Sequence, residues 1–129
     1  MQTEPVTMPT RVVVADDEEL ILKMLEQVLS LDFDVVGKAS DGPTAVSAVL
    51  DTEPDVAVLD YMMPGADGIE AARSIRAKRP KQAIVLYSAL VDGEVEDRAR
   101  QAGICECVAK VDGPLALEEV IRRVSGEKA

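Results

Sequence analysis

The chain has 129 residues with 14 Lys and Arg against 24 Asp and Glu, and this formal charge of −10 would repel a phosphate backbone, which speaks against direct nucleic-acid binding. It contains no histidine, so Ser-His-Asp and Cys-His catalysis and histidine metal sites are excluded, and any phosphotransfer chemistry must rest on carboxylates. The length fits one domain that buries roughly two-thirds of its unfolded surface, no apolar run approaches the ~20 residues of a membrane span, and Met1 to Thr10 lacks a signal-peptide apolar core, so a cytoplasmic protein without membrane contact is expected.

Residues 1–10 read as a flexible N-terminal segment. The first short apolar run, Arg11 to Ala15, is followed by Leu20, Ile21, Met24, Leu25, Val28 and Leu29 at spacings of three and four, which predicts a strand and then an amphipathic helix. Asp34 to Lys38, Asp55 to Leu59 and Ala83 to Tyr87 predict further strands, separated by amphipathic stretches. Val91 to Ala102 offers only Val95, Ala99 and Ala102 to a core, so this fourth helix is expected to be weakly held and mobile. The fifth run, Ile104 to Ala109, contains Cys105 and Cys107. Two soft ligands are too few for a zinc site of about four, so both are expected to be reduced thiols used for packing. Leu117, Val120, Ile121 and Val124 mark the last helix, and residues 126–129 form a tail.

Five strand–helix units with largely continuous apolar strands predict an α/β, doubly wound (βα)5 parallel sheet. Charge at Asp34 and Lys38 and at Glu106 places the second and fifth strands at the edges, compatible with the order 2-1-3-4-5, whose ligands bind beyond the carboxyl ends of the strands. Residues at those ends are therefore brought together: Asp16 and Asp17 after the first strand, Asp60 after the third, Ser88 after the fourth and Lys110 after the fifth. Singly, each has a plain alternative. Asp16 with Glu19 would make a helix capping box, Asp60 a turn cap, Ser88 a loop hydroxyl, and Lys110 a solvated strand end. Jointly they make chemical sense. Three crowded carboxylates favour a hard divalent cation such as Mg²⁺, a carboxylate can accept a phosphoryl group, and an ammonium and a hydroxyl can hold the remaining phosphoryl oxygens.

The strings Val14-Ala15-Asp16-Asp17-Glu18 and Asp60-Tyr61-Met62-Met63-Pro64-Gly65-Ala66-Asp67-Gly68, with Ser88-Ala89 and Lys110, resemble the receiver domain of two-component response regulators over about Arg11 to Val124. Asp34 to Gly42 is similar to receivers that precede LuxR-type DNA-binding domains. The resemblance implies a flavodoxin-like (βα)5 fold over residues 11–125 and Asp60 as phospho-acceptor. It further implies Mg²⁺, with Mn²⁺ able to substitute, held by Asp16, Asp17, Asp60 and the Met62 carbonyl, and Ser88 and Lys110 as switch hydroxyl and phosphate-binding lysine. The implied partners are a sensor histidine kinase or histidine phosphotransfer protein as donor and an output domain or downstream protein as receiver of the signal, with homodimerisation on activation among the expectations. Catalysis would be confined to the chain's own phosphorylation and dephosphorylation.

The sequence departs from this family at two places. Val111 stands where the lysine is usually followed by proline, so the Lys110–Val111 bond is expected to be trans. Cys107 stands where an aromatic is usual, so the expected output route is the loop after Ser88 and the fourth helix. Tyr87 is no substitute, because it alternates to the opposite side of its strand from Ser88. Met62 and Leu90 are expected to flank the path of attacking water without orienting it. A phosphohydrolase is disfavoured by Met62 at the place of its second acid, and an FMN carrier by having only Phe33, Tyr61 and Tyr87 to stack a flavin. A receiver-like binding module that signals without phosphorylation is the remaining alternative.

Overall fold

A computed structural model describes residues 9–126. Most of the expected N-terminal segment, residues 1–8, and of the tail, residues 127–129, lies outside the described residues. The elements run β1 Arg11–Ala15, α1 Glu19–Leu29, β2 Asp34–Ala39, α2 Gly42–Thr52, β3 Val56–Leu59, α3 Gly68–Lys78, β4 Ala83–Ser88, α4 Gly93–Gln101, β5 Glu106–Ala109, a 3-10 turn Lys110–Asp112, and α5 Gly113–Val124. The strands form one parallel sheet in the order β2-β1-β3-β4-β5, with the charged β2 and β5 at its edges.

Alternation along the strands divides the apolar side chains between two cores. Val13, Ala15, Ala57, Leu59, Ile84 and Leu86 face α2, α3 and α4, where Val49, Ile75 and Val95 are buried. Val12, Val14, Val56, Val58, Val85 and Tyr87 face α1 and α5 and pack with Leu25, Leu29, Leu117 and Ile121. Tyr87 therefore lies on the opposite face from Leu86, as its alternation requires.

The plain alternative for Asp16 does not hold. No capping box forms at Asp16 and Glu19: α1 begins after Glu18 without a side-chain cap, and Glu18 N–H donates to Asp16 Oδ1 instead. Among the described residues a capping box forms at α3, where Asp67 accepts from Glu70 N–H and Glu70 from Asp67 N–H.

The fifth strand also needs correction. It starts at Glu106, not Ile104, and Cys105 is exposed rather than packed. Cys105 N–H still donates to the Ile84 carbonyl, but α4 offers this edge only Val95 and Ala99 as buried residues, too little apolar surface to cover both thiols. Cys107 is half-buried against the α2–α4 core, and both cysteines are free. Among the described residues no peptide bond is cis, so Lys110–Val111 is trans, and no helix is long and apolar enough to cross a membrane.

Candidate functional site

Four β-strand ends build the site, held level by backbone pairing. Asp16 N–H donates to the Ala39 carbonyl and Asp60 N–H to the Ala15 carbonyl, each at 3.0 Å, so both acids stand where the ladder stops. Ser88 is level with Ala109 across β4 and β5, directly before Lys110. The carboxylates of Asp16, Asp17 and Asp60 place oxygens within 4.8 Å of one another. Asp16 and Asp60 are buried, whereas Asp17 is exposed.

Lys110 reaches back over this cluster, its Nζ 2.7 Å from Asp16 Oδ2 and 3.3 Å from Asp60 Oδ2. The charges set one another. Burial pushes the Asp60 carboxyl from 3.8 up to about 6, the Asp16 charge adds to the rise, and the lysine only partly opposes it. Burial works against the Lys110 ammonium, but the proximity of Asp16 and Asp60 outweighs this and holds it above its ordinary value.

The donor set fits a hard divalent cation. Among the described residues, no donor is aligned for a hydrogen bond on the sealed Asp16 Oδ2, which is left to the charge of the lysine alone. A cluster of hard oxygens with one such atom unsatisfied, beside an exposed third carboxylate, is what an oxygen-preferring ion with retained waters would complete. Ser88 is buried at its strand end, and its Oγ accepts the Leu90 N–H at 3.3 Å, which ties the hydroxyl to the next loop. Met62 lies in the loop after Asp60 and is 66% exposed, and Leu90 is likewise exposed.

That loop is shaped by glycines. Gly65 has a φ of 81°, which favours glycine, and Ala66 N–H and Gly42 N–H both close on the Pro64 carbonyl. A Cβ on Gly68 would stand 2.3 Å from the Asp60 carbonyl oxygen, so the start of α3 can approach the acid's backbone only as glycine. Sequence reading missed this close approach. It also missed the hydrogen bond from Arg98 Nη1 to Tyr61 Oη, which joins residues 37 positions apart and leaves no local signal. The Asp67–Glu70 box, by contrast, had one: an acid three residues before a glutamate at the head of an apolar stretch.

The comparisons agree with the geometry. The family model described as the response regulator receiver domain matches residues 12–124. The chain is 36% identical over 124 residues to a protein-glutamate methylesterase/protein-glutamine glutaminase of Symbiobacterium thermophilum, covering 94% of this chain and 34% of that protein. It is 36% identical over 114 residues to the transcriptional regulatory protein PdtaR of Mycobacterium tuberculosis, covering 88% of this chain and 54% of that one. The chain thus spans only a third to about half of these curated relatives, whose names describe different outputs. The signal receiver domain of NarL from Mycobacterium tuberculosis superposes with a TM-score of 0.88 at 31% identity, over 95% of this chain and all of that one.

Proposed function

This chain belongs to the receiver-domain family of response regulators, the phosphoryl-accepting modules of two-component systems, and from that premise we propose that Asp60 is the residue that takes the phosphoryl group. The observation that carries the reading is the setting of Asp60: a buried carboxylate at a strand end, shared between the Lys110 ammonium and the carboxylates of Asp16 and Asp17. The alternative of a module that signals without phosphorylation is not favoured, because a passive binding surface gains nothing from burying like charges together.

In this reading Asp16, Asp17 and Asp60, with the Met62 carbonyl, would hold Mg²⁺, and Mn²⁺ could replace it. When bound there, such an ion would supply positive charge against the charge that develops on the phosphoryl oxygens. Asp60 attacks phosphorus, a P–O bond to its carboxylate forms as the P–N bond of a donor phosphohistidine breaks, and the imidazole leaves with the electron pair of that bond. Lys110 moves its charge from the carboxylate pair to a phosphoryl oxygen, and Ser88 exchanges its contact with Leu90 N–H for a hydrogen bond to another. Met62 and Leu90 present exposed apolar side chains beside this path and cannot orient water, which favours a long-lived acyl phosphate.

The donor is a sensor histidine kinase or a histidine phosphotransfer protein, the signal passes to an output domain or a downstream protein, and homodimerisation on activation belongs to the same reading. The receiver unit is residues 11–125, with flanking segments 1–10 and 126–129, acting in the cytoplasm and catalysing only its own phosphorylation and dephosphorylation.

Treatment with acetyl phosphate and Mg²⁺ is expected to give one phosphoryl adduct by mass spectrometry, absent without metal and absent in Asp60→Asn. An unchanged adduct in that variant overturns the assignment. Metal titration is expected to show strongly weakened Mg²⁺ binding in Asp17→Asn, and equal affinity in the two proteins would remove Asp17 from the site.

A further inference from the structure

Tyr61 follows Asp60 directly, and its position is fixed from two sides. Its carbonyl accepts Gly68 N–H at 2.8 Å, and Gly68 in turn packs against the Asp60 carbonyl. Its half-buried ring packs against the α2–α4 core and is joined to α4: Arg98 Nη1 donates to Tyr61 Oη at 2.7 Å, and the guanidinium carbon lies 5.8 Å from the ring centroid. One residue thus connects the acceptor's own backbone to a helix on a neighbouring unit.

Two features make this connection able to change. The helix is lightly held, with only Val95 and Ala99 buried, so a charged hydrogen bond plus a ring contact is a large part of its attachment. Arg98 also gives its cation to the Tyr61 hydroxyl although Asp67 and Glu94 both act on its charge, and it forms no ion pair with either. A displacement of the Asp60–Tyr61 backbone would therefore act directly on this contact, and Asp67 and Glu94 are the carboxylates that already act on the guanidinium. The alternative route is poor, since the Cys107 thiol is small and half-buried, and burial pushes it up to about 11, so it stays neutral.

We propose that Arg98 and Tyr61 are positioning residues that transmit the state of Asp60 to α4, a proposal that rests on the reading of Asp60 as the acceptor. Neither residue touches the reacting atoms. Their contact sets where α4 lies relative to the acceptor loop, and its exchange on phosphorylation frees the helix.

The test is hydrogen exchange of the whole chain with and without Mg²⁺ and beryllofluoride, in wild type, Tyr61→Phe, Arg98→Gln and Arg98→Lys, with adduct occupancy read separately by fluorine NMR. Occupancy at Asp60 is expected to match wild type in all three variants. The adduct-dependent change in exchange over residues 93–101 is expected to fall roughly 2- to 30-fold in Tyr61→Phe and Arg98→Gln. Arg98→Lys, which keeps a donor and the charge, should retain more of it. Tyr61→Phe keeps the ring, so its packing and fold are preserved while the hydroxyl is lost. A full α4 response in Tyr61→Phe and Arg98→Gln overturns the proposal. So does a wild-type chain that takes the adduct without any change in α4, an outcome that leaves Asp60 as the acceptor. A wild-type chain that takes no adduct removes the acceptor reading, and this proposal with it.

Discussion

Helices α4 and α5 pack on opposite faces of the edge strand β5 and hold on by different means. α5 buries Leu117, Val120, Ile121 and even Glu118, has Pro114 in its first turn and Arg122 and Arg123 in its last, where cations suit the helix dipole. Arg122 adds an ion pair to Asp32 and lies 5.1 Å over the Phe33 ring. α4 buries two residues and borders a recess of about 230 Å³ lined by Glu96, Arg100, Cys105 and Cys107 among others, so polar devices take over: the Asp92 cap and the Arg98–Tyr61 contact. Apolar burial fixes a position, whereas exchangeable polar contacts allow two.

The largest effect that would break this comparison is on the α5 side. Leu117→Ala is expected to cost about 2–5 kcal/mol in urea unfolding, because the side chain is fully buried among β-strand and α1 residues. Val95→Ala on α4 should cost about 1.5 kcal/mol, near the value of two buried methyl groups. Equal losses at the two sites would show that α4 is no looser than α5.

The next effect is electrostatic and tests how much strain the site itself carries. The folded Asp60 carboxyl titrates at about 6 against an ordinary 3.8, so the folded state binds this proton more tightly than the unfolded one. Its contribution is then neutral at low pH and becomes destabilising by roughly 3 kcal/mol as pH rises from about 4 through about 6, with no further change above. In metal-free buffer Asp60→Asn should therefore be more stable than wild type at neutral pH, and the two curves should converge toward pH ~4. A difference independent of pH over this window would place the strain elsewhere.

The smallest effect concerns helix starts. Asp92 accepts the Val95 N–H and Asp112 makes no cap hydrogen bond, so Asp92→Ala should lower stability by about 1 kcal/mol while Asp112→Ala leaves it nearly unchanged. Amide exchange should show the first substitution loosening α4 alone. Similar losses in both variants would mean that α5 also depends on its cap.

The sequence by itself determined the sheet and the gathering of the acids. Runs such as Val12–Val14 and Val56–Leu59 are apolar on both faces, which forces a covered parallel sheet, and parallel strands bring every carboxyl end to one edge, so Asp16, Asp60, Ser88 and Lys110 could be placed together from their order alone. The edge strands were legible from their charges for the same reason: a charge is costly inside a sheet covered on both faces. What only the tertiary structure decided depends on groups distant in the chain. Gly68 must lack a Cβ because the Asp60 carbonyl is there, Asp16 accepts the Glu18 N–H rather than capping α1, Cys105 is left exposed by a helix too polar to cover it, and Arg98 finds Tyr61. Periodicity reports which face of an element is buried, but it carries no information about which atoms meet when two elements are brought within van der Waals contact.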